Sequence, residues 1–63
     1  MTIYGRSITQ FDMAVIGSYM NDDIRELVHF ELAPCSPEKF LARYLELDPA
    51  FYNLLQNEFD FKV

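Results

Sequence analysis

Apolar residues recur at helical spacing in several blocks, and each block is preceded by a residue suited to cap a helix. The clearest block starts at Ser36, an N-cap, with Pro37 in the first helical position and Glu38 in the first turn. Cys35 before the cap and Phe40 at the fourth position have the spacing of a hydrophobic staple. Phe40, Leu41, Tyr44 and Leu45 then form a buried stripe, while Lys39, Arg43 and Glu46 face water. The same grammar repeats at once. Asp48 is expected to cap a further helix that Pro49 opens, with Phe51, Leu54, Leu55 and Phe59 inside and Asn53, Gln56 and Asn57 outside. The predicted ranges are 37–46 and 49–59. The tail from Asp60 to Val63 offers Phe61 as an extra anchor.

Upstream, Asn21 caps a helix predicted over about Asp22 to Leu32, with Asp22 and Asp23 in its first turn. Ile24, Leu27, Val28 and Leu32 make its apolar stripe, and Asp22, Arg25, Glu26 and His29 its wet face. Glu31 falls inside the stripe and Phe30 towards its edge. Either the helix frays near Phe30, or Phe30 is exposed and Glu31 is paired.

The first helix is predicted from about Gln10 to Met20, with Thr9 as N-cap and Asp12 in the first turn. Phe11, Met13, Ala14, Val15, Ile16, Tyr19 and Met20 surround its axis, the pattern of a central or an interface helix. A strand through Ala14–Ile16 is the competing reading. Thr2-Ile3-Tyr4 can pair as a short strand or drape an aromatic over the helices, and Gly5 breaks either element. The expectation is an all-α fold. Residues 1–63 form a single small domain, a compact bundle of three or four short helices, with the first helix as its apolar centre and a short N-terminal extended segment.

Composition sharpens this. Hydrophobic residues make up 51% of the 63 residues, which argues against disorder. A chain this short gains little from a lone core, and its single cysteine cannot form an intramolecular disulfide. Six Phe and four Tyr are more aromatics than such a core readily holds, which points to a partner-binding or self-associating face. The net charge of −5 disfavours nucleic acid and anionic membranes and favours a partner protein with a basic surface. No apolar run is long enough to span a bilayer, and the expected location is cytoplasmic.

Chemistry finds little support. Glu26 and His29 have the Glu-x-x-His spacing of bundle metal sites, but there is one copy on a solvated face. Cys35 with His29 lacks the third group and cleft that a catalytic thiol needs. No glycine-rich loop cradles phosphate. The expectation is therefore no enzyme, no metal and no cofactor. A helix-turn-helix from the last two helices is the main alternative, a small DNA-binding regulator, although the final helix carries no basic residue. A structural homodimerising module is a further alternative. The acidic start of the second helix, Asp22, Asp23 and Glu26, with Phe30 and Tyr19 as apolar anchors, is the candidate partner-binding surface.

The run Met13-Ala-Val-Ile-Gly-Ser-Tyr-Met-Asn-Asp-Asp-Ile-Arg-Glu, then Ala33-Pro-Cys-Ser-Pro-Glu-Lys-Phe-Leu and Leu47-Asp-Pro-Ala-Phe, resembles small acidic proteins of phages, plasmids and conjugative elements of Gram-positive bacteria. That resemblance implies a mobile-element setting, in which such proteins disarm host defences such as CRISPR effectors or restriction enzymes. It transfers no functional residue. The reading it supports is a small acidic regulator or inhibitor that binds a host defence nuclease.

Overall fold

The chain opens with a hairpin. In the computed structural model, which describes residues 1–63, β1 (Thr2–Ile3) pairs antiparallel with β2 (Arg6–Ser7), with Ile3 opposite Arg6. Tyr4 and Gly5 form the two-residue turn, with φ of 52° and 78°. Positive φ at both positions is the signature of a type I′ turn, whose twist matches the flanking strands. Gly5 thus joins the two strands rather than ending an element. Four helices follow: α1 (Gln10–Gly17), α2 (Asp22–Leu32), α3 (Pro37–Leu47) and α4 (Phe51–Phe59). The architecture is the expected small helical bundle with a short N-terminal extended segment.

Three of the four predicted caps form. The Thr9 hydroxyl accepts from the Asp12 N–H (3.2 Å), and Asp12 Oδ2 accepts from the Thr9 N–H (2.8 Å), a reciprocal capping box. Asn21 Oδ1 accepts from the Asp23 and Ile24 amides, and Ser36 Oγ from the Lys39 amide. The fourth does not form. Asp48 is not the side-chain cap of α4; that helix starts at Phe51, after Ala50, with no side-chain cap. The Asp48 carboxylate is engaged instead by the Tyr44 hydroxyl (2.9 Å), and the chain enters α4 through backbone bonds from Phe51 to Asp48 and from Tyr52 to Pro49.

The core draws on every helix and on both termini. Ile3, Ile16, Val28, Leu41, Tyr44 and Leu55 are the largest fully buried side chains. Phe51, Phe59 and Phe61 are buried with them, so Phe61 is the anchor its position suggested. Leu45 and Leu54, expected in the core, are only partly buried and pack against its edge. Tyr44 sits at the junction of three segments. Its ring meets Phe51 edge-on at 4.9 Å, and its hydroxyl accepts from the Asn21 amide (2.7 Å) while donating to Asp48. Burial raises its pKa, which keeps that hydroxyl a donor.

The first helix departs most from expectation. It is helical, not a strand, but it ends at Gly17, and Ser18–Met20 continue as tight turns. It is not the apolar centre. Ile16 and Gly17 face inward with Asp12, whereas Phe11 is 76% exposed and Ala14 and Val15 also face water. The other elements already fill the middle, so α1 lies against one side and keeps an uncovered apolar face. Asp12 is buried beneath Arg6, which binds it through both terminal nitrogens (2.6 and 2.8 Å). That contact first, and then the Thr9 bonds, hold the Asp12 carboxyl far below the usual carboxylate range despite burial.

The chain ends meet. The Thr2 amide donates to the Lys62 carbonyl and the Lys62 amide to that of Thr2. Asp60 adopts the left-handed conformation (φ 50°) at the end of α4, turning the chain back so that Phe61 is buried. The Tyr4 hydroxyl donates to the Glu58 carbonyl (2.8 Å). No helix is long and apolar enough to cross a membrane.

Candidate functional site

The outer face of α2 combines exposed carboxylates with exposed apolar side chains. Positions 23, 26, 27 and 30 follow the spacing that places residues on one helix face, and in this chain they are Asp23, Glu26, Leu27 and Phe30. The helix remains regular through Leu32, so of the two readings for its end the second holds. Phe30 is 87% exposed, and Glu31 is paired with Arg43 (3.1 Å). Leu27, expected in the buried stripe, is 47% exposed, because only Val28 of this helix is fully buried and Ile24 and Leu32 cover the core edge.

Ion pairing decides which carboxylates are free. Asp22 is held by Arg25 (3.2 Å), which also donates to the Gly17 carbonyl (3.2 Å) and so ties the start of α2 to the end of α1. Arg43 bridges Glu31 and Glu46, and both contacts raise its pKa, Glu31 more strongly. Arg6 is taken by Asp12. Every arginine is thus committed within the molecule. Six carboxylates stay outside ion pairs (Asp23, Glu26, Glu38, Asp48, Glu58 and Asp60) against two lysines, Lys39 and Lys62. Asp23 and Glu26 are exposed, and neither side chain has an intramolecular partner.

Tyr19 does not join this face. Its ring packs edge-on against Phe59 of α4 at 5.7 Å, where Tyr4 approaches from 6.3 Å. It lies in the turn before α2 rather than on that helix. The five candidate residues therefore fall into two groups, Asp22, Asp23, Glu26 and Phe30 on α2, and Tyr19 in an aromatic cluster at α4. Leu27 and Phe11 were not among the candidates. The all-round apolar pattern of the first helix was the one sign that Phe11 could lie at an interface.

Two clefts flank His29 and Phe40. One, of about 570 Å³, is lined by Arg25, Glu26, His29, Phe30 and Phe40. The other, of about 380 Å³, opens between α1, the Ala33–Cys35 loop and α3, with Met13, Ala14 and Cys35 in its lining. Cys35 is a free, partly exposed thiol. No group of three or more His, Cys, Asp or Glu side chains is placed to hold a metal ion, and Glu26 and His29 stand alone. What the arrangement presents is an acidic and aromatic surface on one face of a helix.

No curated protein and no solved structure matches the chain. The family model described as anti-CRISPR protein AcrIC5 matches residues 4–47, from the hairpin turn to the end of α3. With that match over more than half its length, the chain belongs to the AcrIC5 family of anti-CRISPR proteins.

Proposed function

We propose that the protein inhibits a CRISPR effector stoichiometrically, without catalysis, by covering a basic surface of a Cas protein with the outer face of α2. The observation that carries this reading is the juxtaposition of Asp23 and Glu26, both free of intramolecular partners, with the exposed Leu27 and Phe30. Unpaired carboxylates attract a basic surface and steer its approach. Exposed apolar groups beside them supply the area that becomes dry on contact. A surface that binds nucleic acid is basic, so an acidic plug competes for it directly.

The test is the double variant Asp23→Lys and Glu26→Lys. Both sites are exposed, so the helical circular dichroism should persist. Association with the effector that the parent protein captures should slow at low salt by about tenfold or more, within the range of electrostatic steering. The parent's rate should also fall more steeply with salt. Equal low-salt rates for parent and variant would remove this face from the interface.

Self-association is a second reading with one observation in its favour. The outer face of α1 displays Phe11, Ala14 and Val15 and no charge, since Asp12 is buried. Two acidic copies can meet there without bringing like charges together. Sedimentation equilibrium of the parent and Phe11→Ser separates this from a monomer.

A further inference from the structure

We infer that the cleft between α2 and α3 receives an arginine side chain of the partner protein, stacked against Phe30 and Phe40 and paired with Glu26. This rests on the reading that a basic protein surface meets α2, and it names the group that anchors it. The cleft has a volume of about 570 Å³, and its lining joins aromatic rings to an unpaired carboxylate. Glu26 and Phe30 are four residues apart, so they are neighbours on the helix surface. A cation held by Glu26 therefore lies beside Phe30, a residue otherwise 87% exposed to water.

Arg25, which also borders the cleft, does not satisfy Glu26. Its guanidinium is committed to the Gly17 carbonyl and the Asp22 carboxylate, both at 3.2 Å. The charge left at this end of α2 is that of Asp23 and Glu26. A guanidinium suits such a site better than an ammonium. It is planar and weakly hydrated, stacks on aromatic faces, and presents a fork that matches a carboxylate. An aliphatic side chain would use the rings and leave Glu26 without a partner. A lysine would use Glu26 and gain less from the rings.

The experiment is a titration of the ¹⁵N-labelled full chain, followed by amide chemical shifts. The probes are the N-acetyl methylamides of arginine, lysine and norleucine. Arginine should give saturable shifts at residues 25–30 and at Phe40, binding at least about threefold more tightly than lysine, with norleucine inactive. Glu26→Gln should weaken the arginine probe by about tenfold, the loss of one charge-assisted contact. Phe30→Ala should weaken it comparably. Both side chains lie at the surface, and the dispersion of each spectrum reports whether the variant is folded. Absence of saturable shifts, equal binding of norleucine, or indifference to Glu26→Gln overturns the proposal. A flat titration alongside a charge-reversed double variant that fails to bind its effector removes the arginine site and keeps the inhibitory face. Saturable, Glu26-dependent shifts with effector binding unchanged in that double variant keep the site and remove the inhibitory face.

Discussion

Tyr44→Phe removes one oxygen from a junction in the core, and the structure says what that oxygen does. Tyr44 is fully buried, and its hydroxyl joins the α1–α2 turn to the end of α3. Phenylalanine keeps the ring volume and the edge-on contact with Phe51, so no large cavity opens. What is lost is a donor to the Asp48 carboxylate at 2.9 Å and an acceptor for the Asn21 amide at 2.7 Å. A hydrogen bond to a charged acceptor contributes about 1.5–3 kcal/mol, and a neutral one about 0.5–1.5 kcal/mol. Asn21 is exposed and Asp48 partly so, and both can recover water, so the two losses do not simply add. The expected cost is about 2 kcal/mol. Against a total of about 3–9 kcal/mol for a chain of this length, that is a large fraction. Urea melts followed by far-ultraviolet circular dichroism are the assay, because the chain has no tryptophan and tyrosine fluorescence would change with the substitution itself. The midpoint should fall with an unchanged slope. A loss below about 0.5 kcal/mol, the range of surface substitutions, would refute the reasoning. So would a cycle in which Asp48→Ala costs the same in the parent and in Tyr44→Phe, since coupling is what a direct bond predicts.

Leu41→Ala should cost about 2–5 kcal/mol by urea melt, and Leu45→Ala distinctly less, because Leu41 is fully buried and Leu45 only partly so. Gly5→Ala should destabilise by about 1 kcal/mol through backbone strain alone, since its φ is 78° and nothing lies within 4 Å of an added Cβ. The Asp12 carboxyl titrates lower in the folded chain than unfolded, held down first by its bonds from Arg6. Its stabilising contribution is therefore present above the unfolded value of about 4 and is lost as pH falls towards the folded one. Melts across acidic pH should show stability declining below that point, with a shallower decline for Asp12→Asn and a lower plateau at neutral pH.

Legibility followed the range of the interactions. Thr9, Asn21 and Ser36 could be recognised as caps because each bonds an amide two or three residues away. The Phe30 and Glu31 mismatch was visible for the same reason, since a helical wheel shows a phenylalanine out of place. Asp48 also looked like a cap, but its best donor is a hydroxyl that burial aims at it from the preceding turn of α3. The hairpin was half visible. Gly5 marked a break, but nothing local announces a tyrosine with φ of 52°, which the Tyr4 bond to Glu58 helps to hold. The exposure of Phe11 was hidden because an all-round apolar helix leaves open which side its neighbours cover. The cleft depends on Phe40 meeting α2, a pairing between helices that no spacing within one helix encodes.

The way the chain closes bears on why its outer face can stay uncovered. A domain of this size without a disulfide has little apolar surface to spare. It nevertheless leaves Phe11 and Phe30 largely, and Leu27 about half, in water. Burying an aromatic side chain contributes about 1.5–3 kcal/mol, so selection for stability alone would have moved these groups inward or made them polar. The molecule gains its closure elsewhere. The tail pairs with β1, Phe59 and Phe61 seal the core, and Phe51 and Leu55 bring α4 against it. Those elements beyond Leu47 lie outside the family match, while the hairpin turn, α1, α2 and α3 lie within it. The matched region therefore contains the whole of the acidic and aromatic face and both clefts. An exposed face that opposes stability, carried on the part of the chain that the anti-CRISPR family model matches, is what the proposed partner surface requires.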